Sequence, residues 1–193
     1  MSVRVVALFA LCSLGACTRS SDPQLYTLAA KPARQTWDTA AVIELRRPHI
    51  AGYLDRREVV RRVLAQRLEL ARQAVWAEPL DSMLARTLVE DLALRLPNSQ
   101  VFSELSQVRA SPDIVLELDL QNFEHRKDEL VLRALVALRG GAPEPSQLAQ
   151  IELRSALTDD DTESLVAAMT ELVGQLADRM AGTLAAQVRV PAH

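Results

Sequence analysis

Two runs of alternating side chains in the middle of the chain restrict its fold more than any other feature. Ile114, Leu116, Leu118 and Leu120 alternate with Val115, Glu117 and Asp119; Leu130, Leu132, Ala134, Val136 and Leu138 alternate with Val131, Arg133, Leu135, Ala137 and Arg139. Successive side chains of a strand point to opposite faces, so each run offers one apolar face. The charged stretch between them, residues 121–129 (QNFEHRKDE), reads as a turn, and the pair as a β-hairpin. Strands of this kind need a covering layer over the apolar side.

Two helical patterns can supply that layer. After Pro79, Leu84, Leu88, Leu92 and Leu96 recur every four residues, with Met83 and Val89 widening the stripe. Asp81 or Ser82 can cap this helix, and Pro97-Asn98 ends it. Leu165, Met169, Leu172, Leu176, Met180 and Leu184 follow at spacings of three or four. Asp160 with Glu163 forms a capping-box-like start to that long helix, and Asp159 and Asp161 suit the positive end of its dipole. Gly174 and Gly182 each cost it about 1 kcal/mol relative to Ala; a strand passing close would account for them.

The other strands are shorter. Leu25 to Leu28 is a first candidate, and Ala41 to Arg46 alternates as a half-buried strand that stops near Pro48. Lys31 to Asp38 is loop-like, Val101 to Val108 reads as a strand, and Leu148 to Arg154 as a further one beyond the turn at Gly140-Gly141, Pro143 and Pro145. Val188 to His193 is a tail. Residues 57–76 are ambiguous. Val60, Leu64, Leu68, Ala71 and Val75 have helical spacing, but Val59-Val60 and Leu68-Glu69-Leu70 would also serve as the two strands of a hairpin. The fold class is α/β: a single domain with a mixed sheet flanked by helices and a long C-terminal amphipathic helix.

The N-terminus carries an address. Arg4 is the only charge among the first sixteen residues, and Val5 to Leu11 is continuously apolar. This is an export signal, too short for a membrane span of about 20 residues. Leu14-Gly15-Ala16-Cys17 then reads as a bacterial lipoprotein processing site, cut between Ala16 and Cys17 with Cys17 acylated. No Asp follows the cysteine, which directs such a protein to the outer membrane. The expected divisions are a signal peptide at 1–16, an acylated cysteine and tether at 17–24, and the domain at 25–193. The mature chain has 177 residues and a net charge of −4, a balance that does not suggest nucleic-acid binding. Cys12 leaves with the signal and Cys17 is modified, so no free thiol or disulfide is expected.

Catalytic and cofactor signatures do not occur. The three histidines are His49, His125 and His193; there is no HxxH, HExxH or CxxC spacing, no GxSxG elbow, and no GxGxxG or Walker A loop. No metal and no cofactor are expected. His49 reads as a loop residue without a visible partner, His125 as solvated at a hairpin tip, and Asp159-Asp160-Asp161 as helix capping. Arginine is concentrated between Arg46 and Arg72. Those side chains form either a solvated face or a basic patch for acidic protein or lipid head groups, since guanidinium pairs bidentately with carboxylate and phosphate. Arg56, Arg57, Arg61 and Arg62 are the candidate partner-binding residues.

The processing site at Leu14 to Cys17, Tyr26-Thr27-Leu28 after it, Tyr53-Leu54-Asp55-Arg56 with Val59-Val60, and Trp76-Ala77-Glu78-Pro79-Leu80 together resemble the ABC-type transport auxiliary lipoproteins, the paraquat-inducible PqiC-like (YmbA-like) proteins. The resemblance implies an α/β fold like the amino-terminal domain of TolB, with a β-hairpin between the two signature runs, and on that ground a hairpin is expected at 57–76. It further implies a non-catalytic role in lipid traffic across the periplasm. The implied partners are a mammalian-cell-entry (MCE) domain protein, an inner-membrane permease with its ATPase, and outer-membrane lipid held through the acyl anchor. A homo-oligomer around a symmetric MCE assembly is compatible with that role. The alternatives are an envelope assembly lipoprotein unrelated to lipid flow and, against the missing signatures, a periplasmic hydrolase.

Overall fold

The structure is a computed structural model that describes residues 22–64, 66–108, 110–126, 128–140 and 147–188. The processing site expected at Leu14 to Cys17, the turn expected around Pro143 and Pro145, and the tail expected after Val188 lie outside the described residues.

Eleven elements follow in order: β1 (Gln24–Tyr26), β2 (Val42–Leu45), β3 (His49–Ile50), β4 (Glu58–Leu64), β5 (Arg67–Trp76), α1 (Leu80–Arg95), β6 (Gln100–Ser103), β7 (Ile114–Arg126), β8 (Glu129–Gly140), β9 (Gln147–Ala156) and α2 (Thr162–Val188). They form two mixed sheets. The larger runs β6-β2-β7-β8-β9, with β3 pairing beside β7; the smaller runs β1-β5-β4. The expected hairpin is β7–β8, in antiparallel register from Ile114↔Gly140 to Arg126↔Glu129, but most of the stretch expected as its turn, 121–129, continues β7 as paired strand to Arg126.

One face of the large sheet is apolar along its length, and the helices cover it. Ile114, Leu116, Leu118 and Leu120 of β7 and Leu130, Leu132, Ala134, Val136 and Leu138 of β8 are all buried. So is the whole expected stripe of α2, from Leu165 to Leu184, and so are Leu84, Leu88, Leu92 and Leu96 of α1, with Val89 half-buried beside them. Burial of such side chains contributes about 1.5–3 kcal/mol each and dominates the stability of the fold. The other face carries cross-strand ion pairs such as Arg139 with Glu117 at 2.9 Å and Arg133 with Glu152 at 2.7 Å. A bulge shifts the β7–β8 register between Leu120 and Asn122. It reverses the alternation, so that Phe123 rather than Asn122 is buried beyond it.

Residues 57–76 form the β4–β5 hairpin, with Val60↔Leu70, Arg61↔Glu69 and Arg62↔Leu68 as partners. The helical spacing of its apolar residues reflects a broken strand. Between the pairs Val60↔Leu70 and Glu58↔Val75, β5 has four intervening residues and β4 one. Gln73 takes up the excess at φ 63°. Ala71, Ala74, Val75 and Trp76 are buried below this kink, while Leu68 and Leu70 above it are exposed. β1 then adds to β5 in parallel, Gln24↔Ala74 to Tyr26↔Trp76.

Several local expectations are corrected. The strand expected over Val101 to Val108 ends at Ser103, because Ser103 Oγ and Ser106 Oγ accept the backbone N–H of Leu105 and Val108 and fold the chain into turns. Helix α1 begins at Leu80 with no side-chain cap; the Pro79 carbonyl accepts the Met83 N–H at 3.0 Å, and Asp81 is drawn off to Arg47 at 2.5 Å. In α2 the capping carboxylate is Asp161, accepting the Ser164 N–H at 2.7 Å, while Asp160 pairs with Arg61 instead. A strand does not pass the α2 glycines. The loop between β1 and β2 does: a Cβ on Gly174 would lie 3.0 Å from Lys31 Cβ, and one on Gly182 would lie 3.5 Å from Trp37.

Candidate functional site

The signature residues meet at the root of the β4–β5 hairpin. Tyr53 and Leu54 sit in the turn after β3, Asp55 to Arg57 lead into β4, and Trp76 to Pro79 leave β5 for α1. Trp76 N–H donates to the Arg57 carbonyl at 2.8 Å, and Ala77 N–H to the Tyr26 carbonyl at 2.9 Å. Arg86 of α1 joins the two outer runs, donating to Glu78 at 2.8 Å and to Thr27 Oγ1 at 3.2 Å. Leu54, Trp76 and Leu80 are buried. The long sequence gap between the signature runs is therefore the length of a hairpin whose two ends are fastened together.

Tyr53 reaches the large sheet. Its hydroxyl accepts the Phe123 N–H at 3.1 Å and donates to the Phe123 carbonyl at 3.3 Å. Strand β3 pairs β7 only at Asp119 and Leu120, so the phenol satisfies the backbone of β7 beyond the end of β3. Burial pushes the Tyr53 phenol above its ordinary pKa, which keeps it protonated and able to donate.

The four candidate arginines are split into two pairs. Arg56 and Arg57 are exposed and line a cleft of about 380 Å³ with Asp55, Trp76, Glu78 and Pro79. Among the described residues, neither guanidinium makes an ion pair. Arg61 and Arg62 lie further up β4 beside a separate cleft of about 810 Å³. There Arg61 is bound to the Asp160 carboxylate and to its carbonyl at 2.6 Å, and Arg62 approaches Glu124 at 3.6 Å. The root pair is thus free to meet an anion, whereas the upper pair is compensated within the fold.

Two histidine expectations change. His49 has a partner: its Nδ1 lies 2.8 Å from Asp119 Oδ1 across the β3–β7 pair. His125 is only 13% exposed at its side chain and lies 3.9 Å from Asp160, because the neighbouring hairpin covers the place where solvent was expected. Among the described residues, no group of three His, Cys, Asp or Glu side chains is placed to hold a metal ion, and no helix is long and apolar enough to cross a membrane. The arginine pattern of this region carries no sign of the exposed aliphatic side chains near the end of the β4–β5 hairpin; their signal in the sequence is Val63-Leu64 and Leu68 on either side of Gln66-Arg67.

The model of a family described as "ABC-type transport auxiliary lipoprotein component" matches residues 26–181. The chain belongs to that family. The match takes in both signature runs, the hairpin between them and most of α2. This transport auxiliary component is similar in fold to a crystal structure of an uncharacterized protein, with a TM-score of 0.70 at 19% identity over 84% of this chain and 99% of the other. It is equally similar to protein XCC0632 from Xanthomonas campestris, with a TM-score of 0.69 at 17% identity over 85% of this chain and 97% of that one. At such identities the likeness is one of fold alone. No curated protein sequence matches the chain.

Proposed function

We propose that the protein is a non-catalytic lipoprotein held on the periplasmic face of the outer membrane, where it serves an ABC transporter of the MCE type that moves lipid between membranes. The observation that carries this reading is the family match over residues 26–181, joined to the processing site Leu14-Gly15-Ala16-Cys17 ahead of it. Acylation of Cys17 supplies the anchor. A single acyl chain binds a bilayer only marginally, but the multiple chains of a lipoprotein cysteine hold it firmly. The absence of Asp at position 18, occupied by Thr18, favours the outer membrane over the inner.

The body works by contact. Its root cleft presents Arg56 and Arg57, neither of them engaged in an internal ion pair among the described residues, beside the Trp76–Pro79 segment. Exposed guanidinium groups suit a carboxylate-bearing surface of a partner protein, with which they can pair bidentately. The energy of transport comes from the distant ATPase.

Two measurements test the reading. Mass spectrometry of the protein purified from membranes is expected to find Cys17 as an acylated N-terminus; an unmodified thiol refutes the anchor. Affinity purification from detergent-solubilised cells is expected to recover an MCE-domain protein, and the Arg56→Glu/Arg57→Glu variant to lose it. Recovery of envelope-assembly proteins without an MCE protein favours the alternative of an assembly lipoprotein.

A further inference from the structure

Beyond the root cleft, the outer part of the hairpin exposes aliphatic side chains among charged ones. Val63, Leu64, Leu68 and Leu70 are 40%, 60%, 38% and 48% exposed, although they lie within eight positions of one another on paired strands. The register sets Leu64 beside Arg67 and Leu68 beside Arg62, so the aliphatic side chains lie on both faces of the hairpin; single exposed aliphatic side chains on a surface need no explanation, but four on the two faces of one hairpin end mark a contact. Charges of both signs surround them: Arg67 with Glu69 at 2.7 Å, Arg61 with Asp160, and Arg126 with Glu124 at 2.5 Å. The tip of the β7–β8 hairpin, at Arg126 and Asp128, lines the same 810 Å³ cleft as Val63 and Leu64. Both hairpins therefore end on one side of the molecule.

The route of the chain gives the reason for this end. Strand β1 runs parallel to β5, so the polypeptide arrives at Gln24 from the side on which β5 begins, the side of the tip. From Ala74, the partner of Gln24, back to Arg67 is seven residues, at most about 23 Å of strand and less through the kink at Gln73. From Gln24 back to Cys17 is also seven residues, which span at most about 25 Å. The connection is long enough to bring an anchor at Cys17 level with the hairpin tip and too short to carry the body far from the bilayer.

We infer that the tip of the β4–β5 hairpin rests on the membrane to which Cys17 is anchored, placing Val63, Leu64 and Leu68 among the lipid head groups. The inference rests on acylation of Cys17 as proposed above. A zwitterionic head-group layer offers phosphate to the arginines and ammonium to the carboxylates around the tip, and arginine stems can lie along the apolar surface while their heads stay in the polar layer. The contact supplies orientation rather than attachment: anchor and tip together make two points of support, which fixes the root cleft at a set height and tilt above the bilayer.

The test uses the acylated full-length chain with Leu64→Cys, whose engineered thiol is the only free one in the mature protein, labelled with an environment-sensitive dye. Leu148→Cys is the control. Leu148 is 65% exposed but pairs with Ala137, toward the opposite end of β8 from the tips. Both are reconstituted into vesicles of phosphatidylethanolamine and phosphatidylglycerol, and flotation reports the anchor separately. Expected are a blue shift at position 64, quenching by lipid-borne quencher, and several-fold protection from aqueous iodide, with position 148 unchanged; Val63→Cys is expected to behave as position 64. A protein that floats while position 64 stays as iodide-accessible as position 148 overturns the inference and leaves the anchor intact. Protection that arises only on adding a periplasmic extract overturns it in favour of a protein partner at the tip. A chain that fails to float refutes the acyl anchor, and the tip contact falls with it.

Discussion

Replacing Arg95 with Met is expected to be among the most damaging single changes in the protein. Arg95 and Asp91 are fully buried. The guanidinium donates through Nε to Asp178 at 2.6 Å, through Nη1 to Asp91 Oδ1 at 3.0 Å and to the Asp91 and Lys31 carbonyls, and through Nη2 to the Gly174 carbonyl at 3.0 Å. It therefore fastens α1, α2 and the β1–β2 loop at one point. Met fills much of the same volume, so the loss is chiefly electrostatic. Asp91 keeps the Lys31 N–H at 2.8 Å but becomes a buried charge without a counterion, a change that costs about 3–5 kcal/mol. Against a typical stability of about 5–15 kcal/mol, and with roughly 2–4 °C in Tm per kcal/mol for a domain of this size, the melting temperature should fall by about 6–20 °C. Urea unfolding followed by circular dichroism measures the loss of stability, and a thermal melt the shift in Tm. The double variant Arg95→Met/Asp91→Asn removes the stranded charge, and its amide can meet the carbonyls that Arg95 leaves. It is expected to regain more than about 1 kcal/mol over Arg95→Met. A loss below about 1 kcal/mol for the single variant, or a double variant no more stable than the single, refutes the reasoning.

Other outcomes follow from the same geometry. Tyr53→Phe strands the Phe123 N–H and carbonyl on β7 and is expected to cost about 1–3 kcal/mol in urea unfolding. Gly182→Ala, whose Cβ meets Trp37 at 3.5 Å, should gain up to about 1 kcal/mol of helix propensity, whereas Gly174→Ala meets Lys31 Cβ at 3.0 Å and should destabilise; thermal melts of the pair separate the two cases. Glu171 is held below the usual carboxylate range: burial opposes this, but Gln175, Lys31 and Arg34 together outweigh it. Its stabilising share is present above the unfolded pKa and lost as pH falls through the folded one, so Glu171→Gln should flatten the loss of stability below pH 4.5. Asp91 has the opposite sign. Burial raises its pKa above 3.8, so its share is greatest below that value and declines as pH rises through the folded pKa; Asp91→Asn should remove that decline in melts between acid and neutral pH.

Period alone placed the β7–β8 hairpin and both helices, because each carries enough apolar side chains on one face to demand a partner layer whatever surrounds it. Leu116 and Leu118, or Leu172 and Leu176, had no other place to go. The β4–β5 hairpin was not legible by period: the kink at Gln73 shifts the apolar positions of β5 out of alternation, and only the resemblance carried by Tyr53 to Arg56 and Trp76 to Pro79 favoured strands. The candidate site was legible in part. Those runs pointed to one region, but Arg56, Arg57, Arg61 and Arg62 looked alike as a string of charges.

What the sequence by itself determined is the set of faces: which residues of β7, β8, α1 and α2 turn inward, and that two distant runs belong together. Only the tertiary structure decided which charges meet. Asp81 leaves its helix cap for Arg47, Asp160 leaves its own for Arg61, and His49 finds Asp119, while Arg56 and Arg57 make no ion pair among the described residues, although Asp55 and Glu78 line the same cleft. Burial is a property of a residue and its near neighbours, which periodicity records. Pairing between charges depends on distances across the fold, and no local pattern in the chain encodes them.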